Sequence, residues 1–154
     1  MGNCTRRRRL GADIVSVGMQ QVDSRFTIGG SPTYGEETVV NGYFKDGITG
    51  WVQMQVVTGG HGSTDGGEGW QTVVTETGTT YFFSCVCDRQ GVSPSISVKD
   101  KLPTGSSIIV MHPAGVGFNT YSGEFTALST ESVIHFGNGS DTALFDNVSI
   151  RELL

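Results

Sequence analysis

The chain has 154 residues, 23 of them Gly, with 36% hydrophobic residues and a formal charge of −5. That length suits one domain with a true hydrophobic core, and the apolar share excludes a disordered low-complexity protein. Beyond residue 36 five basic side chains face twelve carboxylates, which excludes nucleic acid as a partner of the body, because phosphate neutralisation needs clustered Lys and Arg.

Residues 1–36 read as a basic extended N-terminal arm and linker. They carry five Arg, four of them consecutive at Arg6, Arg7, Arg8 and Arg9, and end in the turn composition "IGGSPTYGEE". A partner with an acidic surface is the natural target of such a run. No signal peptide is read, since Asp13, Gln20 and Gln21 interrupt the apolar core that a leader needs. No apolar run approaches the roughly 20 residues that cross a bilayer, so a membrane is not an expected partner. Gly2 and Cys4 meet the acylation pattern only in part, because Arg6 stands where Ser or Thr is required.

The body, residues 37–154, reads as strands separated by turn signals, expected at 38–44, 51–57, 70–76, 79–88, 93–99, 106–112, 121–128, 132–137 and 142–151. About nine strands and no helix make an all-β domain. In "TTYFFSCVCD" the residues Tyr81, Phe83, Cys85 and Cys87 alternate with Phe82, Ser84, Val86 and Asp88, as in a central strand of a sandwich. Ile96 and Val98 alternate with Ser95, Ser97 and Lys99 in a half-exposed strand. The last two strands, joined by the turn-rich residues 137–141, are expected to close a hairpin. Cys85 and Cys87 share one strand face, a geometry unsuited to a disulfide, and read as small buried apolar residues. Zinc is the alternative, with Cys-x-Cys and three scattered His as its only support.

Between residues 58 and 70 runs "TGGHGSTDGGEGW". Its start nearly spells the calcium turn of β-rolls, but it occurs once and out of register. No Gly-Lys-Ser or Gly-Lys-Thr follows, so it is not a phosphate loop. It reads as a long connection with His61, Asp65 and Glu68 exposed at a mobile tip and Trp70 at its base, and these four are the expected ligand contacts. His61, Ser63 and Asp65 are triad residue types, yet one Gly-rich loop cannot fix them as separate elements do. His112 and His135 stand apart from them, and no constellation indicates an enzyme.

Two ends of the body and a strand between them carry a resemblance. "VVNGYFKDGITGW", residues 39–51, resembles the "NGxFExGxxxW" opening of galactose-binding-like jelly rolls, as found in carbohydrate-binding modules. "FTALSTESVIHFGNGSDTALFDNVSIREL", residues 125–153, is similar to their closing pattern, and "GTTYFFSCVCD" to their "G-x-x-Y-x-F-S" strand. The resemblance implies a β-sandwich jelly roll whose first and last strands pair, bringing Asn41 and Gly42 near Asp146 and Asn147. It makes Trp51 a core anchor. It also implies a structural calcium held by an acid of the opening motif and the Asp of "DNVS", here Asp46 and Asp146, with Lys45 standing where the opening acid is usual. Sugar platforms need exposed aromatics beside polar groups, and Trp70, Tyr43, Tyr34 and Tyr121 are the aromatics on offer.

A stand-alone jelly roll with a basic arm is similar to accessory virion proteins of tailed phages. The expected function is therefore a non-enzymatic virion component, most simply a capsid decoration or cement protein, or else a tail-attached one, assembled in the host cytoplasm. Its partner would be the major capsid protein or another virion subunit, bound through the arm, with the chain a homo-oligomer within the assembly. The alternative is a glycan-binding module recognising host or environmental polysaccharide.

Overall fold

The structure is a computed structural model that describes residues 31–64, 66–90, 94–101, 105–137 and 142–154. Arg6, Arg7, Arg8, Arg9 and Asp65 lie outside the described residues. From Pro32 to Leu154 the chain forms one unit of ten strands: β1 Tyr34–Glu37, β2 Gln55–Val57, β3 His61–Ser63, β4 Glu68–Val74, β5 Thr80–Arg89, β6 Ser95–Lys99, β7 Ser107–Met111, β8 Phe118–Thr126, β9 Glu131–Gly137 and β10 Ala143–Leu153. They build two antiparallel sheets. One sheet runs β2-β3-β10-β5-β8 with β1 also on β10, and the other runs β4-β9-β6-β7. The all-β jelly-roll sandwich expected from the sequence is the fold.

Period-2 alternation explains how the sheets stack. In β5 the buried Tyr81, Phe83, Cys85 and Cys87 alternate with half-buried Phe82, Ser84, Val86 and Asp88. Facing them across the core are Val73, Ile96, Val98, Ile134 and Phe136 of the smaller sheet, while Phe145, Val148 and Ile150 of the neighbouring β10 extend their own layer. Removing such faces from water contributes about 1.5–3 kcal/mol per large side chain. A row of rings ties the layers together. Phe44 lies 5.2 Å from Trp51, Trp51 5.5 Å from Phe136, and Phe136 4.0 Å from Phe145, in nearly parallel stacking. Trp51 is thus a core anchor, and its Nε1 donates to the Asn41 carbonyl at 3.2 Å. The buried thiols are protonated: desolvation drives Cys85 far above the ordinary range and pushes Cys87 up to about 12.

From β4 onward every strand lies within three residues of its expected ends. Earlier in the chain the structure differs. Residues 34–36, assigned to the linker by composition, form β1 together with Glu37 and pair with β10. Residues 38–44 are not a strand. Asn41 and Phe44 adopt positive φ of 52° and 53°, which breaks the extension, and the buried Gln71 side chain replaces a neighbouring strand. Its Oε1 accepts from Val40 N–H at 2.7 Å and its Nε2 donates to Val40 C=O at 2.8 Å. The expected strand at 51–57 contracts to β2. Finally, β9 and β10 do not form a hairpin, because they belong to different sheets. Stacking Phe136 on Phe145 across the core buries both rings fully, which side-by-side pairing would not do.

Candidate functional site

The two motif ends meet at one point of β10. Val148 N–H donates to Gly42 C=O at 3.0 Å, and a Cβ on Gly42 would stand 2.0 Å from the Val148 carbonyl oxygen. Only Gly allows this approach. On one side of the contact Phe44 turns into the core, and on the other Tyr43 turns outward with 58% exposure. A bulge between Asp146 and Ser149, with Asn147 at φ 50°, turns Asn147 outward as well. The "NGYF" and "DNVS" segments therefore lock each other and present Tyr43 and Asn147 on the outer face of the six-stranded sheet.

Around that pair lies a depression of about 320 Å³ lined by Tyr34, Tyr43, Phe82, Ser84, Asn147, Ser149 and Arg151. Each comes from a fixed backbone. Tyr34 sits on β1 with its ring 5.5 Å from Phe82, and register places Phe82 beside Arg151 and Ser84 beside Ser149. Glu37 organises the floor. Its Oε1 accepts the Val39 and Ile150 N–H groups, each at 2.9 Å, while its Oε2 accepts from Ser149 Oγ and, at 3.3 Å, from Arg151 Nε. Four donors on one carboxylate fix the guanidinium beside the rings. Three aromatic faces next to hydroxyl, amide and guanidinium groups can stack on the C–H face of a sugar ring and bond its hydroxyls. A larger depression of about 470 Å³, lined by Asp88, Arg89, Gln90, Gly115 and Val116, offers no ring among its described residues.

Sequence proximity had grouped His61, Asp65, Glu68 and Trp70, and the structure separates those it describes. In the segment 58–70 the described residues carry strand on either side of residue 65, in different sheets. His61 belongs to β3 in the larger sheet, while Glu68 and Trp70 belong to β4 in the smaller one. Two of its Gly serve packing: a Cβ on Gly62 would lie 2.4 Å from the Phe44 ring, and one on Gly69 2.2 Å from Met54 Sδ. His61 is half-buried on the outer face of the six-stranded sheet. Its Nδ1 is 3.4 Å from Asp146 Oδ2, close enough for an ion pair but out of line for a hydrogen bond, and Nδ1 has no hydrogen-bond partner. Its ring meets Phe118 of β8 at 4.7 Å. Strands β10 and β5 run between β3 and β8, so the two rings bridge over them and roof one end of that face. Trp70 points from the opposite sheet, between the inward Gly69 and Gln71, beside His135, whose Nε2 lies 3.4 Å from Glu68 Oε2.

The calcium reading does not fit these surroundings. Asp146 is taken up by His61 and by the Asn147 N–H at 2.8 Å, and Asp46 sits in a turn where Asn41 and Thr49 hold its backbone. Lys45 Nζ lies 5.2 Å from the Tyr43 ring centre, and the described residues contain no group of three or more metal-ligating side chains. Calcium takes six to eight oxygens, several of them anionic. Tyr121 is not a platform either, because its side of β8 faces inward against Cys85 and its hydroxyl donates to the Ala114 carbonyl at 3.1 Å. Sequence reasoning named Tyr34 and Tyr43 but missed Phe82, Asn147 and Arg151; the alternation of β5 and the "DNVS" bulge were the available signals.

No family model and no curated protein sequence matches the chain. Solved structures do. The chain is similar to a family 4 carbohydrate-binding module at TM-score 0.63 and 16% identity, covering 75% of this chain and 99% of that one. It is similar to a family 61 module solved with β-1,4-galactotriose at TM-score 0.52 and 15% identity, covering 75% and 98%. It also matches part of the enzymatically active domain of tailspike protein 4 from bacteriophage CBA120, at TM-score 0.59 and 15% identity, covering 76% of this chain and 21% of that one. At such identities the likeness establishes a shared fold, the jelly roll of carbohydrate-binding modules.

Proposed function

We propose that this chain is a non-catalytic glycan-binding module whose ligand lies on the outer face of the six-stranded sheet. The observation that carries this reading is the convergence of Tyr34, Tyr43 and Phe82 with Ser84, Asn147, Ser149 and Arg151 in one depression. No carboxylate is among those lining residues, whereas glycoside hydrolysis uses two acids facing each other across the bond. The similarity to carbohydrate-binding modules supports the same reading. A glycan array followed by calorimetry with xylohexaose and β-1,4-galactotriose tests it. Binding that falls at least about tenfold in Tyr43→Ala and is untouched in Trp70→Ala is the expected result, since losing one stacked ring removes about 0.5–1.5 kcal/mol beyond its area. Binding lost with Trp70 and indifferent to Tyr43 would overturn the assignment of the face.

A second reading places this module on a virion, as a capsid decoration or tail-attached protein held by Arg6, Arg7, Arg8 and Arg9. The partial match to a phage tailspike domain supports it, together with the basic charge of residues 1–36. The two readings are compatible, one naming the ligand and the other the support. Deleting residues 2–30 should abolish binding to purified capsids or tails while leaving glycan binding intact; unchanged virion binding would sink the anchoring role.

A further inference from the structure

We infer that the depression selects glycans bearing an anionic group, a uronate carboxylate or a sulfate ester, on the sugar unit that stacks at Tyr43. This rests on the glycan-binding reading and specifies its substrate class. Among the described lining residues Arg151 is the single charged group, and it is a cation. Glu37, the carboxylate nearest it, is committed to the floor: two backbone N–H groups, the Ser149 hydroxyl and Arg151 Nε occupy its two oxygens. Using Nε for this contact leaves the two Nη groups of the guanidinium fork to meet a ligand, and a planar fork matches a carboxylate or a sulfate. A second cation lies close by, with Lys45 Nζ 5.2 Å from the Tyr43 ring centre. Each cation therefore stands beside a ring of the depression, Arg151 by Phe82 and Lys45 by Tyr43.

Of the carboxylates on this face, Asp146 is opposite His61 and Asp88 is paired in register with Phe118, while Glu124 stands opposite Phe82 on β8. A body with an excess of carboxylates nonetheless brings two cations to the end of the outer face where the rings converge. An anion there gains from both cations at partial exposure, while a neutral sugar offers the fork only uncharged hydroxyl oxygens.

Calorimetry on the full chain with oligogalacturonate and its fully methyl-esterified form tests the charge, since the backbone of the two probes is the same. Sulfated and unsulfated galactan oligosaccharides form the second arm and separate sulfate from carboxylate as the source. The charged member of at least one pair is expected to bind about five- to tenfold more tightly, with the gap closing at 0.5 M salt, where screening is strong. Lys45→Gln should narrow the same gap while leaving the uncharged member unaffected, and Arg151→Gln should narrow it by weakening the charged member more than the uncharged one; Lys45 belongs to a surface turn, so its variant folds even if loss of Arg151 disturbs Glu37. Equal affinity for charged and uncharged members, with Tyr43→Ala weakening both, would overturn the anionic preference and leave glycan binding standing. Absence of binding by every probe, charged and neutral, would overturn both.

Discussion

Each outer face of the sandwich carries a histidine 3.4 Å from a carboxylate and a large aromatic within reach, yet the two faces are not equivalent. On the larger sheet Tyr34, Tyr43 and Phe82 arrive from β1, a turn and β5 and converge on one depression beside polar groups. On the smaller sheet Trp70 stands on β4 with Thr72 and the exposed Val74 along its strand. The difference teaches that a recognition surface is made by convergence of separately fixed elements and not by the size of one ring. Trp is the larger aromatic, but Tyr43 has neighbours that can hold a ligand from several sides.

The sharpest way to break the comparison is to disturb what lies behind each aromatic. Behind Tyr43, Gly42 abuts the Val148 carbonyl, where an added Cβ at 2.0 Å meets backbone that cannot turn aside. Behind Trp70, Gly69 abuts the Met54 side chain at 2.2 Å, which has three rotatable bonds and can yield. Gly42→Ala should therefore cost about 3 kcal/mol and Gly69→Ala about 1 kcal/mol, the two ends of the usual range for overpacking. Urea denaturation measures both. Glycan affinity of the folded fraction should fall only in the first, because Tyr43 and Asn147 depend on that contact. Equal costs would mean that the β10 edge moves as readily as a methionine.

A smaller effect concerns the core shared by both faces. Desolvation raises the thiol of Cys85 and pushes that of Cys87 up to about 12, from an ordinary value of 9.0. The unfolded chain releases these protons first, so stability is unaffected below pH about 9 and falls as pH rises from there toward 12. Denaturation at pH 8 and pH 10.5 should show the decline, and replacing both residues by Ala should remove its thiol component. In the native state at pH 8 a thiol reagent should leave both residues unmodified until the sandwich opens.

How much of this was legible depends on which physics the residues obey. Strand β5 could be read from its alternation alone, and the locked ends could be expected from the resemblance of "NGYF" and "DNVS" to an opening and a closing segment. The strand that carries Tyr34 was hidden because Gly and Pro around it signal a linker, whereas pairing with β10 decides its state. Residues 38–44 looked extended, but Gln71 supplies with one amide what a neighbouring strand would have given Val40, and no local pattern announces such a substitution. The segment 58–70 misled for a third reason. Its Gly content signals turns, and Gly59, Gly60 and Gly66 do turn with positive φ, but Gly62 and Gly69 make room for Phe44 and Met54. Contiguity also hid the crossover that sends His61 and Trp70 to opposite faces.

The finest distinction lies between the two histidine pairs, where distance is the same and surroundings differ. In His61–Asp146 the two side chains are 25% and 24% exposed, whereas in His135–Glu68 the values are 7% and 62%. Solvent reaches Glu68 freely, so its attraction to His135 is screened and its long side chain loses freedom in holding the contact; coupling of about 0.3 kcal/mol is expected there. Asp146 is shorter, is fixed by the Asn147 N–H and meets an imidazole steadied by Phe118, so its coupling should reach about 1 kcal/mol, the upper end for partly exposed pairs. Double-mutant cycles with His61→Gln and Asp146→Asn, and with His135→Gln and Glu68→Gln, measure the two terms directly. If the second coupling equals or exceeds the first, burial of the histidine alone sets the strength of each pair, and the His61–Phe118 bridge does not stiffen the face that it roofs.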